Sequence, residues 1–160
     1  MNGRLLLATA GGLGLLRPAP GTWGSLPPAL LAAGLASLGE YAVVGVMAAL
    51  LVGGTASSIL LAPWYASYFG RTDPGEVVCD EVAGMSLALL LMPWAVDGAD
   101  PWWPLAQSGI VFLAFRVFDI TKPPPIGASQ RLPRGWGVLV DDLLAGLAAA
   151  GVGWLVLLLT

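Results

Sequence analysis

The sequence predicts an all-α membrane protein, a compact bundle of about five short transmembrane helices joined by interfacial loops. Three observations support this fold class. Hydrophobic residues make up 57% of the chain, and its mean hydropathy is +0.80. Only 11% of the residues are charged, against roughly 25% in a soluble domain, which is too few to cover a water-facing surface. The apolar residues fall into five stretches, and the length predicts one domain over residues 1–160.

Two of the five apolar stretches are long enough to cross a bilayer without help. A membrane span needs roughly 17–25 residues, and residues 41–61 and 143–159 satisfy this length. Residues 82–96 and 103–115 are shorter, so they cross only where flanking polar residues continue the helix or where neighbouring helices shield it. Residues 26–38 are the weakest stretch and form either a short span or a re-entrant helix.

The basic residues predict which side of the membrane each loop faces. All seven lie before the first stretch, between the second and third, or between the fourth and fifth: Arg4, Arg17, Arg71, Arg116, Lys122, Arg131 and Arg134. Five spans with a cytoplasmic N-terminus place every one of them on the cytoplasmic side, as the positive-inside rule requires. The same three segments carry seven of the ten acids. Ionisable chemistry is therefore expected at the cytoplasmic face.

Two pairs of adjacent acids, Asp80-Glu81 and Asp141-Asp142, stand directly before apolar stretches. One interpretation is structural, because acids favour the dipole at a helix N-terminus and Asp is a good N-cap. The other is a metal site. A small residue four positions after the first acid of each pair would leave room for a second helix beside the carboxylates. Clusters with only oxygen ligands select hard cations such as Mg²⁺.

Asp119 and Lys122 close the fourth stretch and share one face of a helix, because they are three residues apart. They form either a simple ion pair or a site where Lys122 meets a phosphate, and the spacing favours neither. Thr22 and Ser25 belong to a turn rich in Pro and Gly. Either hydroxyl could cap a helix, and the backbone amides of this turn could equally bind an anion.

The composition excludes several classes of function. The chain has no histidine, so it cannot form a phosphohistidine. Cys79 is the only cysteine, and Met85 stands where a Cys-x5-Arg phosphatase loop needs arginine. A net charge of −3 without a basic patch argues against nucleic acid as a partner. Carboxylates, one lysine, a few arginines and hydroxyls remain, a set that suits metal-assisted attack of water on a phosphate ester.

Four motifs between residues 11 and 150 together resemble the phosphatidylglycerophosphatase A family. Each alone is weak, but they occur in the order of the family. They are Pro20-Gly21-Thr22-x-Gly24-Ser25, Asp80-Glu81-x-x-Gly84-Met85, Phe115-Arg116-x-x-Asp119-x-x-Lys122-Pro123-x-Pro125-Ile126 and Gly137-Val138-x-x-Asp141-Asp142-x-x-Ala145-Gly146.

The resemblance implies a Mg²⁺-dependent phosphatase of the bacterial inner (cytoplasmic) membrane. Such an enzyme removes the terminal phosphate of phosphatidylglycerophosphate and gives phosphatidylglycerol, a step of phospholipid synthesis. We therefore expect a multi-pass protein with its active site facing the cytoplasm. Its expected partners are this lipid substrate and the surrounding membrane lipid, and the sequence indicates no protein partner.

Residue chemistry and the resemblance together predict the site. The expected metal ligands are acids: Asp80, Glu81, Asp119, Asp141 and Asp142. Asp119 is alternatively the base that orients water, and Lys122 completes the predicted catalytic set by neutralising the phosphate. Substrate contacts are expected from two hydroxyls and three guanidinium groups: Thr22, Ser25, Arg116, Arg131 and Arg134. No catalytic role is assigned to Gln130, where the family often has an acid.

Two other classes of function stay open. One is a phosphatidyltransferase, although the repeated Asp-x-x-Asp-Gly pattern of that family is absent from this chain. The other is a non-catalytic membrane scaffold whose acids only cap helices. Release of phosphate from a lipid phosphate separates both from a phosphatase.

Overall fold

The computed structural model describes residues 2–94, 100, 102–133 and 135–159. Over these residues the chain is helical and contains no strand, so the predicted all-α class is confirmed for them. In chain order the helices are α1 (Gly3–Ala8), α2 (Pro20–Leu35), α3 (Glu40–Phe69), α4 (Cys79–Leu90), α5 (Trp103–Thr121), α6 (Ile126–Ser129) and α7 (Trp136–Leu159). Short 3₁₀ turns, Ala10–Leu15 and Ala36–Leu38, follow α1 and α2.

Within the described part of the chain, three helices, α3, α5 and α7, are long and apolar enough to cross a membrane. Helices α2 and α4 have 16 and 12 residues. At 1.5 Å per residue these are about 24 Å and 18 Å long, less than the roughly 30 Å hydrocarbon core. The predicted count of about five spans is therefore not confirmed. Residues 95 and 96, the end of the third predicted stretch (82–96), lie outside the described residues.

The helices extend beyond the apolar stretches into polar sequence. Helix α5 continues to Thr121, and α7 begins at Trp136, a full two turns before the apolar run at 143. Apolar stretches mark only the part of a helix that carries apolar side chains. At a membrane interface the backbone stays helical while the side chains become polar, so the stretches end before the helices do. As a result Asp119, Asp141 and Asp142 lie inside helices rather than beside them.

Helix α4 packs between α3 and α7, while α5 and α2 cover the remaining sides. The contact between α4 and α7 is close because both helices carry glycine there. A Cβ atom at Gly84 would lie 2.5 Å from the carbonyl oxygen of Asp142 and 2.9 Å from the Phe115 ring. Gly146 packs in turn against the carbonyl oxygen of Gly84. Small residues therefore bring the two acid-bearing helices together, as the sequence predicted for Gly84.

The N-terminal segment fixes the start of α4. The carbonyl oxygen of Ala8 accepts a hydrogen bond from the amide of Val78 at 2.9 Å. Val78 directly precedes α4 and also packs against Gly24 of α2. The first turn of α4 is thus held from two sides, by the end of α1 and by α2.

The glycine contact gives a stability prediction. Gly84→Ala should destabilise the protein by about 1–3 kcal/mol, because the new methyl group meets backbone of α7 that cannot move aside alone. Gly109→Ala on α5 is the matched control, since its Cβ atom meets nothing within 4 Å. The measurement is the temperature at which the buried Cys79 thiol reacts with a thiol-specific dye in detergent. Equal transition temperatures for the two variants would contradict this packing.

Candidate active site

Three carboxyl groups meet where the first turn of α4 lies against the second turn of α7. Asp80, Glu81 and Asp142 each contribute one oxygen atom, and these oxygens lie within 4.8 Å of one another. Asp80 is 1% exposed and Asp142 is 3% exposed. We call these three residues the acid cluster. Their convergence follows from the glycine contact between α4 and α7.

The surroundings of the acid cluster disfavour its negative charge. Burial raises the pKa of Asp80 to about 6, and the charge of Asp73 adds to this. Burial also raises the pKa of Glu81 well above its ordinary value, with further contributions from the charges of Asp80 and Asp142. The buried Glu81 Oε2 accepts no hydrogen bond from any described residue. A bound cation would offset these charges and give that oxygen a partner, so the acid cluster could hold a metal ion.

Neither acid pair caps a helix. The N-cap residue of α4 is Val78, and no side chain caps that helix. Asp141 and Asp142 follow Trp136, the first residue of α7, by five and six positions, too far along the helix for an N-cap. The capping part of the structural interpretation is therefore wrong, while the favourable position at a helix N-terminus holds for Asp80 and Glu81 in the first turn of α4. Their burial needs another explanation.

Asp141 lies beside the acid cluster and binds cationic and amide groups instead. The Lys122 ammonium and the Gln130 amide both donate to Asp141 Oδ2, the latter at 2.8 Å. Burial acts to lower the pKa of Lys122, but the hydrogen bond and charge of Asp141 outweigh it, so the pKa is raised. Asp141 Oδ1 is buried and accepts no hydrogen bond from any described residue. A ligand role for Asp141 stays a prediction.

Asp119 forms an ion pair with Arg116, with 2.5 Å between Oδ2 and Nη1, whereas Lys122, the partner that the sequence offered for a simple ion pair, pairs with Asp141. Both side chains are largely buried, and the charge of Asp119 acts on Glu81. Arg116 Nε is buried and donates to no described acceptor. The pair therefore adjoins the acid cluster, and Arg116 keeps one donor free for an anion.

The first turn of α2 closes the site from a third side. Pro20 is its first residue, and Ala19 before it has a left-handed backbone with φ of 57°. A Cβ atom at Gly21 would lie 2.5 Å from Glu81 Oε1 and 2.9 Å from Arg116 Nη1. A larger residue at position 21 would displace the ends of the Glu81 and Arg116 side chains. With glycine at this position, the N-terminal amides of α2 are brought next to the acids and the guanidinium group.

The remaining predicted substrate contacts are placed differently. Thr22 follows Gly21 in the same turn and is half-buried. Ser25 is fully buried, and its hydroxyl donates to the carbonyl oxygen of Gly21 at 2.7 Å, inside its own helix. Arg131 is exposed on the segment after α6. Arg134 lies outside the described residues. Substrate contact by these four residues stays a prediction.

Sequence analysis missed the role of Gln130. Its amide shares Asp141 Oδ2 with Lys122 and so helps to fix that carboxylate. No local pattern signals this contact, since eleven residues and a turn separate the partners. The position of Gly21 was also missed. The residue belongs to a recognisable motif, but its contact with Glu81 depends on tertiary packing.

The charges of the site define the chemistry that it can perform. Five carboxylates face only two cationic side chains among the described residues, so the site carries excess negative charge. A divalent cation on the acid cluster would reverse this balance locally. Lys122 and Arg116 could then bind an anionic group beside the cation. This arrangement suits a phosphate ester.

Comparison with known proteins agrees with this chemistry. A sequence model of the family Phosphatidylglycerophosphatase A matches residues 6–157. The Phosphatidylglycerophosphatase A of Haemophilus influenzae is 38% identical over 150 residues, covering 90% of this chain and 82% of the relative. The Escherichia coli K12 protein of the same name is 33% identical over 150 residues, covering 92% of this chain and 79% of the relative.

A third relative has a different name. A Bacteroides thetaiotaomicron protein, provisionally named a phosphatidylinositol-3-phosphatase, is 35% identical over 144 residues, covering 89% of this chain and 86% of the relative. No solved structure matches the chain. The family match spans nearly the whole chain and includes all four motifs. The chain therefore belongs to the phosphatidylglycerophosphatase A family, as its motifs predicted.

Proposed function

We propose that this protein hydrolyses phosphatidylglycerophosphate to phosphatidylglycerol and phosphate, with Mg²⁺ as cofactor, in bacterial phospholipid synthesis. The observation that supports this most strongly is the buried acid cluster beside Lys122 and Arg116, in a chain of this family. Asp80 and Asp142 are buried and neither is an N-cap, which a scaffold whose acids only cap helices does not explain. The three candidate spans place the site in a membrane protein, where a lipid substrate is at hand.

In this mechanism Asp80, Glu81 and Asp142 hold Mg²⁺. When bound, the ion supplies Lewis-acid stabilisation of the phosphoryl oxygens. Lys122 and Arg116 bind the phosphate and neutralise the charge that develops on it, the main form of catalysis in phosphoryl transfer.

Asp119 orients the attacking water and accepts its proton, or serves as a further metal ligand. Water adds to phosphorus, the phosphorus–oxygen bond to the glycerol headgroup breaks, and the leaving oxygen takes up the proton that the water has lost. Asp141 keeps Lys122 in position, and Gln130 in turn fixes Asp141. The first turn of α2, with Thr22, contacts the headgroup. Ser25, Arg131 and Arg134 are proposed as outer contacts of the same substrate.

The proposed location is the bacterial inner membrane, with the site facing the cytoplasm. The basis is the placement of the basic residues, all of which fall on one side of the five-span arrangement. Helices α2 and α4 would then cross only part of the bilayer on their own, and α3, α5 and α7 would shield them.

Carboxylate substitutions test the site against the scaffold hypothesis. Asp80→Asn and Asp142→Asn should lower phosphate release from phosphatidylglycerophosphate by roughly 10²-fold or more, because a neutral amide is a poorer ligand for a hard cation. Lys122→Met should have a similar effect. Asp100→Asn is the matched control, since among the described residues the Asp100 carboxylate accepts a hydrogen bond from the Trp102 amide, and an asparagine side-chain oxygen can accept the same bond. Near-normal activity in the first two variants would refute the assignment.

Metal removal tests the cofactor. EDTA should abolish phosphate release, and excess Mg²⁺ should restore it, because the ligands available are oxygen donors.

The same assay with phosphatidylinositol 3-phosphate separates the substrate proposed here from the one in the name of the Bacteroides relative. Full turnover in EDTA would exclude the proposed mechanism, and preference for the inositol lipid would reassign the substrate.

Cysteine labelling tests the topology in a Cys79→Ser background. Cysteines at Asp73 and Ala128, both exposed, should be protected from impermeant thiol reagents in intact cells. Cysteines at Ser37 and Asp100, also exposed, should react. Labelling of all four positions from outside would overturn the proposed orientation.

A further inference from the structure

An apolar cavity of about 390 Å³, open on one side, lies next to the first turn of α4 and is lined by the N-terminal segment, α2, α3 and α4. Its volume falls within the roughly 300–1,000 Å³ of typical ligand pockets. The lining groups are aliphatic side chains, prolines and glycines, apart from the Ser57 hydroxyl and the Cys79 thiol. A site with so few polar groups suits a hydrocarbon chain rather than a headgroup.

One end of this cavity adjoins the acid cluster. Cys79 and Val82 line it, and these residues flank Asp80 and Glu81 in the first turn of α4. Gly24 also lines it, one turn along α2 from the glycine that contacts Glu81. The first turn of α4 therefore borders the cavity through Cys79 and Val82 and carries two acids of the cluster at the positions between them.

The cavity then runs from the acids into the depth of a candidate span. Gly54 of α3 packs against the carbonyl oxygen of Cys79, so it lies level with the start of α4. From Ser57 to Ala49 the α3 wall extends about 12 Å at 1.5 Å per residue. This direction leads away from Arg71, which follows α3, and into the N-terminal half of the helix.

We propose that this cavity binds one acyl chain of the lipid substrate while its phosphate lies at the acid cluster. The inference rests on the proposed lipid phosphatase function and adds the place and direction of the chain. An acyl chain in a bilayer is already out of water, so its transfer into the cavity gains little free energy from the hydrophobic effect. Its contribution is positional, because a fixed chain sets the depth and orientation of the headgroup over the acids.

The glycine at position 53 provides the sharpest test of the proposal. A Cβ atom there would meet nothing within 4 Å, so a larger side chain enters the cavity without disturbing the helix contacts. Gly53→Leu should lower kcat/KM for dipalmitoyl phosphatidylglycerophosphate at least about tenfold, since a displaced chain misplaces the headgroup. The dibutanoyl form, whose chains are too short to need the cavity, should react within about twofold of wild type.

The matched control is Gly45→Leu on the same helix. Gly45 has equally open space and does not line the cavity, so both lipids should react as in wild type. Ala49 lines the cavity about one turn beyond Gly53, counted from Ser57. Ala49→Leu should therefore leave kcat/KM unchanged for lipids with somewhat longer chains than Gly53→Leu tolerates, and should lower it only for the longest chains. It also decides the question if Gly53→Leu does not accumulate in the membrane. A general loss of stability would lower activity on all lipids alike and would not give the two variants different maximum chain lengths.

Each other outcome contradicts a specific claim. An unchanged chain-length profile in both cavity variants would overturn the proposal and indicate that the cavity holds bulk lipid. Equal losses for both lipids would also overturn it, because the substitution would then act on the catalytic groups. If wild type hydrolyses neither lipid, the proposed function itself fails.

Discussion

The main physical constraint on this structure is the mutual repulsion of three carboxyl groups that lie together away from bulk water. Removing an ionised carboxylate from water costs several kcal/mol, and neighbouring acids repel one another. Asp80, Glu81 and Asp142 therefore need a counter-charge between them. The glycines Gly84 and Gly146 allow the two helices to meet so closely that the oxygens share one small volume. In our account a divalent cation supplies the counter-charge, and catalysis uses the same ion.

The surrounding elements are arranged around this point. Helix α2 presents its first turn to Glu81 and Arg116, while α5 ends at the residue before Lys122. Helix α4 is short, so its acid-bearing first turn lies level with Gly54, well inside the length of α3. The acid cluster and the apolar cavity are therefore neighbours in the structure. A lipid could place its phosphate on the acids and one chain along α3 in a single binding pose.

Part of this arrangement could be predicted from sequence. Composition gave the all-helical membrane class, and the paired acids with Gly84 behind them indicated that helices would meet at the carboxylates. The helix starts were misjudged because hydropathy reports only the apolar part of a helix, and the first turns of α7 are polar at Asp141. The Gln130 contact and the cavity were invisible. Both arise where segments distant in sequence pack together, and neither leaves a local pattern.

The central claim, that the acid cluster binds a divalent cation, is most directly tested by equilibrium binding of Mn²⁺ followed by electron paramagnetic resonance. Mn²⁺ shares the preference of Mg²⁺ for oxygen ligands. Wild type should bind it saturably, Asp142→Asn at least about tenfold more weakly, and Asp100→Asn as wild type does. This readout needs no substrate and no turnover. Equal affinity in wild type and Asp142→Asn, or no binding to wild type, would contradict the account.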